Sequence, residues 1–346
     1  MGELESLVKE KYQFAKENKH LFFFESTKFD KENNGILFHI SYVPSLAKKP
    51  EAENKNNNNG DEGNLPSSQQ KEFNPFLNPD PNLIVKEYDD YRILLNKFCV
   101  VPHHLLIVTK EYQKQTLPLF PPDMLIAWKT LNSAFGSTPG LVFYNCGTNS
   151  GASQPHKHMQ VMPLSGINAK VPIQAIVDKI ENPKAGEIYT LNQLPFVHVL
   201  TPLDRKFIEE NKNDEAIVED YLGQMFFGLL DGMFQQIRLN IDDDSVISLR
   251  SNLSYNFIMT RDFMFLVPRR SETATFEVGD LPYTLSFNSL VFAGFMLAKT
   301  ELEKDALYYY SDLMDLLKQV GFERSIPPTI VDGEQTNVDK IDGMTN

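Results

Sequence analysis

The alternation of apolar and polar positions divides the chain into helices, strands and one segment with almost no large apolar residues. Residues 3–18 carry apolar side chains at helical spacing, with Leu4 and Val8 on one face. Runs rich in β-branched and aromatic residues predict strands over 35–43, 91–96, 99–109, 141–146, 156–162, 254–260, 263–268 and 283–288. Longer periodic runs predict helices at about 122–135, 172–181, 214–239 and 300–319.

These elements do not follow a regular β-α-β order, so they predict an α+β fold rather than a doubly wound sheet. The runs 254–260 and 263–268 are expected to pair as a hairpin across Arg261 and Asp262. Residues 48–72 are rich in Asn, Lys, Glu and Ser and cannot bury enough apolar surface to order themselves, which predicts a mobile surface loop. If this loop is a passive insertion, deleting 52–70 will leave activity largely intact.

Composition limits the classes of function. A hydrophobic fraction of 42% over 346 residues is enough for a substantial core, and a net charge of −13 argues against a general nucleic-acid binder. A small anionic ligand stays compatible, because it needs only a local cluster of donors. There is no apolar signal core and no membrane-spanning run, and Cys99 and Cys146 are expected to be reduced thiols. These features predict a cytoplasmic protein, with the nucleus as the alternative.

The segment 145–160 carries the candidate chemistry. Its first part is a loop of small residues, which can turn backbone N–H groups toward phosphate oxygens; the members are Gly147, Asn149, Ser150, Gly151 and Ser153. By itself such a loop is weak evidence, because most glycine-rich turns only reverse the chain.

The second part places His156, His158 and Gln160 at every second position of a predicted strand, so all three share one face. Lys157, Met159 and Val161 are expected on the opposite face. Three polar groups on one face of an apolar strand are costly unless that face lines a site. A neutral imidazole can attack phosphorus through one nitrogen when the other carries the proton, and Gln160 can hold a phosphate oxygen.

Other interpretations of the histidines are open. A His-x-His pair also suits a metal, as in β-barrel oxygenases, although Gln160 is a poor ligand for transition metals. Isolated strand histidines are usually structural, which is the preferred interpretation for His39, His103, His104 and His198. His103 and His104 are adjacent, so at most one of them can join a given site.

The segment resembles the transferase branch of the histidine-triad superfamily. The shared pattern is met by Asn145, Gly147, Gly151, Ser153, Pro155, His156, His158 and Gln160. The hydrolase branch has a third histidine where Gln160 stands, and galactose-1-phosphate uridylyltransferases have proline where Lys157 stands. Nearly the whole chain is similar to fungal diadenosine tetraphosphate phosphorylases (ATP adenylyltransferases), through the blocks 74–83, 94–109, 255–272 and 285–299.

This resemblance implies a histidine-triad-like fold, in which a mixed or antiparallel sheet is flanked by helices and two related halves form one catalytic unit. The N-terminal half is expected over 1–165 and the ATP-adenylyltransferase-like half over 190–320, followed by a polar tail at 321–346. The implied reaction has two steps. His158 attacks an α-phosphate of diadenosine tetraphosphate and expels ATP, and inorganic phosphate then takes the AMP group to give ADP.

By the same resemblance, His156 orients the nucleophile and Gln160 binds phosphate. The candidate substrate-binding residues are Asn145, Gly147, Ser150, Gly151, Ser153, Asn256, Arg269, Arg270 and Asn288, with Lys48 and Lys49 at the root of the Asn-rich loop. Adenosine phosphosulfate is an expected second substrate. Mg²⁺ is expected to arrive with the substrate phosphates, without a dedicated protein cage or an organic cofactor.

The expected partners are therefore dinucleoside polyphosphates, ATP, ADP, AMP and phosphate, with no nucleic acid, no membrane and a monomeric chain. Three alternatives stay open: uridylyl transfer between sugar phosphates, hydrolysis of dinucleoside polyphosphates, and nucleotide sensing without turnover.

Overall fold

The computed structural model describes residues 2–48, 74–164, 170–240 and 253–324, together with the short segments 330–331, 334–335 and 338–340. The predicted Asn-rich loop lies, from residue 49 onward, outside the described residues. The helices are α1 (Glu3–Glu17), α2 (Pro121–Ser133), α3 (Gln174–Val177), α4 (Arg205–Glu210), α5 (Glu215–Asn240), α6 (Ser289–Ala293), α7 (Glu301–Tyr309) and α8 (Leu313–Val320). Short 3-10 helices lie at Pro44–Lys48 and Pro81–Leu83.

The strands of the N-terminal half are β1 (Phe22–Phe23), β2 (Thr27–Asn33), β3 (Ile36–Tyr42), β4 (Ile84–Glu87), β5 (Tyr91–Leu95), β6 (Phe98–Cys99), β7 (Leu105–Thr109), β8 (Gly140–Cys146) and β9 (His158–Pro163). Those that follow are β10 (Tyr189–Leu191), β11 (Val199–Pro202), β12 (Tyr255–Met259), β13 (Phe263–Pro268), β14 (Thr273–Val278), β15 (Leu281–Ser286), β16 (Phe295–Ala298), β17 (Ile330–Val331), β18 (Glu334–Gln335) and β19 (Val338–Lys340).

Ten of these strands form one antiparallel sheet in the order β19-β10-β11-β13-β12-β8-β9-β7-β5-β4. The strands of the N-terminal half occupy one side of it, and the strands of the C-terminal half occupy the other. The two sides meet where β8 pairs with β12, from Val142 opposite Met259 to Cys146 opposite Tyr255. We call this pairing the seam. The predicted α+β class, with an antiparallel sheet flanked by helices, is confirmed.

The two faces of the sheet are buried against different layers, because paired residues of an antiparallel ladder share a face. Val142, Met159, Val161 and Phe257 pack with apolar side chains of α2 and α5. On the opposite face, Phe143, Met162 and Ile258 pack with side chains of α3, α6 and α8. The first residues of β9 therefore lie at the end of a strand that is held from both sides.

Two smaller sheets cover the second face, and one of them joins the two halves. In the three-stranded sheet β16-β3-β2, the C-terminal β16 pairs in parallel with the N-terminal β3. In the hairpin β14-β15, Ala274, Phe276 and Leu285 belong to the cluster on that face. None of the described helices is long and apolar enough to cross a membrane.

Several predicted elements differ from the structure. The prediction of one helix over 300–319 is wrong, because the helix ends before Tyr310 and a second helix, α8, begins after Asp312. The Asp312 carboxylate caps α8 by accepting from the Met314 N–H at 2.9 Å. The strand expected over 99–109 is two strands, separated by a turn in which His103 has φ +61°. The helix expected over 172–181 is only one turn, α3, and β2 and β14 were not predicted.

Candidate active site

The first residue of β9 is His158, whose side chain is only 3% exposed. Its Nδ1 lies 2.8 Å from the main-chain oxygen of His156. A carbonyl oxygen can only accept, so Nδ1 carries the proton and Nε2 carries the lone pair. Within the described part of the chain, Nε2 has no hydrogen-bond partner, and the unshared pair is available to an electrophile.

The ring of His156 is held at both nitrogens. Nε2 lies 2.9 Å from the main-chain oxygen of Thr109 and therefore donates to it. Nδ1 lies 3.1 Å from Asn74 Nδ2, which donates. His156 is completely buried, and its carbonyl group is the acceptor for His158. Thr109 and Asn74 therefore fix the position of His156, and the carbonyl of His156 in turn fixes the orientation of the His158 imidazole.

Burial keeps both rings neutral. The pKa of His158 is lowered to about 4, mainly by burial. The hydrogen bond to the His156 carbonyl raises this pKa, and the neighbouring His156 side chain lowers it, but both effects are smaller than that of burial. Burial also lowers the pKa of His156. The ring of Phe76 lies against both, with its centroid 5.1 Å from that of His158 and 5.9 Å from that of His156. Near pH 7 His158 is therefore in the form that can act as a nucleophile.

The loop from β8 to β9 depends on two glycines with left-handed backbone. Gly147 has φ +88°, and a Cβ there would lie 2.3 Å from Ser254 Oγ. Gly151 has φ +77°, and a Cβ there would lie 2.4 Å from the main-chain oxygen of Phe287. Both contacts are to the C-terminal half, so the loop lies directly against it and leaves no room for a side chain.

Asn145, near the end of β8, has its amide orientation fixed by three donors. Its Oδ1 accepts from Asn256 Nδ2 at 2.9 Å, from the Ser289 N–H at 2.9 Å and from Ser289 Oγ at 2.6 Å. A main-chain N–H can only donate, so the oxygen is identified without ambiguity. The two N–H groups of the Asn145 amide are consequently turned away from this cluster.

Asn256 and Arg269 belong to the same buried network, but their polar groups contact protein atoms. Asn256 Nδ2 also donates to the Ser150 carbonyl at 2.9 Å, and Asn256 Oδ1 accepts from Arg269. The Arg269 guanidinium is fully buried and donates to the carbonyls of Val320, Ser150, Ser271, Glu272 and Phe287. Burial lowers its pKa to about 9. This geometry favours support of the loop over the predicted phosphate contact for Arg269.

The other predicted residues differ in burial and in their contacts. Gln160 is half-buried on β9, and Met159, Val161 and the Lys157 ammonium face the opposite layer, as predicted. Ser150 Oγ donates to the Gly147 carbonyl at 2.6 Å, and Asn288 caps α6 by accepting from the Leu290 N–H at 3.0 Å. Ser153 and Arg270 are exposed. Lys48 ends a 3-10 helix, while its side chain and Lys49 lie outside the described residues.

Four buried or half-buried residues of the site were not predicted from the sequence: Asn74, Thr109, Gln115 and His104. His104 was interpreted as structural, yet its pKa, lowered to about 4 by burial, also responds to Gln160 and His158. Asn96 Nδ2 lies 3.2 Å from His104 Nδ1 and donates to it. Strand alternation was the one signal for His104, since it shares the face of Leu106, which pairs with Gln160.

Both parts of the chain match models of known protein families. Residues 1–179 match the model of the Ap4A phosphorylase N-terminal domain, and residues 192–323 match that of the ATP adenylyltransferase C-terminal domain. The chain is 32% identical over 340 residues to diadenosine 5',5'''-P1,P4-tetraphosphate phosphorylase 2 of Saccharomyces cerevisiae, covering 92% of this chain and 94% of that protein. It is 29% identical to the yeast protein APA1, covering 93% and 95%.

Solved structures show the same likeness. The crystal structure of yeast Ap4A phosphorylase Apa2 matches with a TM-score of 0.72 at 26% identity, over 93% of this chain and 98% of that chain. The structure of Apa2 in complex with Ap4A matches with a TM-score of 0.70 at 27% identity, over the same shares.

Proposed function

This chain belongs to the Ap4A phosphorylase family, and we propose that it cleaves diadenosine tetraphosphate (Ap4A) with inorganic phosphate to give ATP and ADP. The observation that carries the proposal is the state of His158. Its imidazole is neutral, its Nδ1 proton is held by the His156 carbonyl, and its Nε2 lone pair is free among the described residues. That combination is what a histidine nucleophile needs.

In the first step, Nε2 of His158 attacks an α-phosphorus of Ap4A. The N–P bond forms, the bond from that phosphorus to the bridging oxygen breaks, and ATP leaves. The imidazole becomes positively charged as it takes the adenylyl group, and the His156 carbonyl, 2.8 Å from Nδ1, stabilises that charge. In the second step, an oxygen of inorganic phosphate attacks the same phosphorus, the N–P bond breaks, and ADP leaves with His158 neutral again.

The Asn145 amide is the group best prepared to assist both steps. Its oxygen is occupied by Asn256 and Ser289, so its N–H groups are preoriented donors at the end of the strand beside β9. Preoriented donors stabilise charge that develops on phosphate oxygens without reorganising during the reaction. Gln160, half-buried on the same face as His158, is a second amide available for this role.

Mg²⁺ is expected to enter with the polyphosphate. Such an ion would be bound mainly by substrate oxygens and water. Adenosine phosphosulfate offers the same adenylyl phosphorus with sulfate as the leaving group, so phosphate would convert it to ADP and sulfate.

The test is a product analysis by anion exchange, with Ap4A and Mg²⁺ in the presence and absence of inorganic phosphate. Phosphorolysis gives ATP and ADP in equal amounts, and only when phosphate is present. ATP and AMP without phosphate would instead identify a hydrolase, and turnover of UDP-glucose with no action on Ap4A would identify uridylyl transfer.

His158→Ala is expected to lower the rate by several orders of magnitude, because the covalent route disappears. His39→Ala is the matched control, since His39 lies on β3 in the small three-stranded sheet and pairs with Asp30 at 2.6 Å. A His158→Ala enzyme that keeps wild-type turnover would refute the covalent mechanism.

A further inference from the structure

Gln115 takes no direct part in the proposed reaction, yet it bonds to both ends of the loop between β8 and β9. It lies in the irregular segment between β7 and α2, and only 4% of its surface is exposed. Buried glutamines are uncommon, and their amides must be satisfied by partners. Here those partners are the two strand ends that carry the reacting groups.

The position of its side chain follows from the way β8 and β9 separate. Their ladder runs from Gly140 opposite Pro163 to Phe143 opposite Gln160 and then ends. Continuing the same register by two residues would place Asn145 opposite His158, but that pair is not part of the ladder. The strands part at this point to open the loop.

The Gln115 carboxamide fills the gap. Its Oε1 accepts from the main-chain N–H of His158 at 2.8 Å, and its Nε2 donates to the Asn145 carbonyl at 2.8 Å and to the His158 carbonyl at 3.2 Å. In a continuous antiparallel ladder, such N–H and C=O groups would bond to each other. One side-chain amide therefore replaces a ladder bond and holds the strands one amide width further apart.

The main chain of Gln115 fixes the same loop at both ends. Its N–H donates to the Pro155 carbonyl at 2.8 Å, and its carbonyl accepts from the Gly147 N–H at 3.2 Å and from the Tyr144 hydroxyl at 3.1 Å. The loop from 147 to 155 thus begins and ends on a single residue. Movement of Gln115 would change the opening of the loop and the spacing of β8 and β9 together.

We propose that Gln115 is a positioning residue for adenylyl transfer, which sets the separation between the nucleophile His158 and the donor amide of Asn145. This inference rests on the function proposed above. The reaction requires Nε2 of His158 and the donors of Asn145 to reach one phosphate group at the same time. A displacement of about 1 Å in such a pair is enough to lower a rate by about 100-fold.

The first test is Gln115→Met, which keeps the length of the side chain but cannot bridge the strands. We expect kcat with Ap4A to fall by about 10- to 100-fold, with KM changed by less than about threefold. The single-turnover rate of AMP attachment to His158 should fall by the same factor. Gln236→Met is the control, because Gln236 is a buried glutamine on α5, in the layer behind the sheet. It should lower thermal stability without lowering kcat.

The second test is Gln115→Glu, read out as a pH profile. An ionised carboxylate would face the Asn145 and His158 carbonyls without a proton to donate, whereas a protonated carboxyl group donates through its O–H and accepts through its carbonyl oxygen. The kcat of this variant, relative to wild type, should therefore rise as the pH falls. This readout remains available if Gln115→Met does not fold.

The outcomes separate the inference from the proposed function. If the wild-type protein does not form ATP and ADP from Ap4A and phosphate, the proposed function fails. If the wild type is active and Gln115→Met keeps its kcat, or loses no more than Gln236→Met at equal folded fraction, only the role of Gln115 is refuted. A Gln115→Glu profile parallel to the wild-type profile would refute it as well.

Discussion

The buried ion pair between Lys157 and Asp123 leads to a prediction about the free energy of unfolding, and its contacts allow the size of the effect to be estimated. The Lys157 side chain is 2% exposed and that of Asp123 is 3% exposed, and their charged atoms lie 2.6 Å apart. Lys157 also donates to the Pro118 carbonyl at 3.1 Å. Asp123 accepts in addition from the Tyr91 hydroxyl at 2.9 Å and from the Phe120 N–H at 2.7 Å, which caps α2.

Replacing Lys157 with Met removes the cation and leaves Asp123 buried. Breaking a buried pair in this way typically costs about 3–5 kcal/mol, because the remaining charge is uncompensated. Two neutral donors stay on the carboxylate, so we expect a loss near the lower end, about 3 kcal/mol. Adding Asp123→Asn removes the charge while an amide oxygen can still accept from Phe120. The double variant should recover at least about half of the loss.

The assay is urea unfolding near pH 7, followed by far-UV circular dichroism and by the fluorescence of Trp128. Trp128 is the sole tryptophan, and it lies half-buried on α2, the helix that Asp123 caps. A loss below about 1 kcal/mol in Lys157→Met would show that the pair is not buried as described. A double variant as unstable as the single one would show that the uncompensated charge is not the cause.

Two further predictions concern the loop and the buried histidines. Gly151→Ala should lower the free energy of unfolding by at least about 2 kcal/mol, because φ +77° is combined with a Cβ only 2.4 Å from the Phe287 carbonyl oxygen. Gly279 has φ +63° but open space around it, so Gly279→Ala should lose only the smaller free energy of backbone strain. Equal losses for the two variants in urea unfolding would contradict the close approach of Gly151 to Phe287. The pKa of His158 is about 4 in the folded chain against about 6.5 when unfolded, so between these values only the unfolded chain binds the proton, and stability falls as the pH falls. This group alone should cost about 2 kcal/mol near pH 5 relative to pH 7, and a urea midpoint that does not change between these pH values would contradict a buried neutral ring.

Local patterns in the sequence were sufficient for some of these features and silent about others. Strand alternation predicted that His158 and Gln160 face away from Lys157, because that property depends only on neighbouring residues. The contacts of Gln115 with Asn145 and His158 span 30 and 43 residues, and no short-range pattern signals them. The same holds for Arg269, whose surroundings are set by carbonyls from three separate segments, so that an arginine expected to meet phosphate is instead enclosed by the chain.

The strands on the two sides of the seam between β8 and β12 can be matched one to one, which allows the strand that carries His158 to be compared with its counterpart. Counted outward from it, the strand order is β8-β9-β7-β5-β4 on one side and β12-β13-β11-β10-β19 on the other, so β13 is the counterpart of β9. Both strands have six residues and end in proline, and aligning Pro163 with Pro268 places Phe263 and Phe265 at the positions of His158 and Gln160. Both phenylalanines are buried in the apolar cluster, and β12 joins β13 by a tight turn instead of an open loop. Among the described residues, β13 therefore carries no counterpart of the nucleophile, and we expect one adenylyl group to be bound per polypeptide.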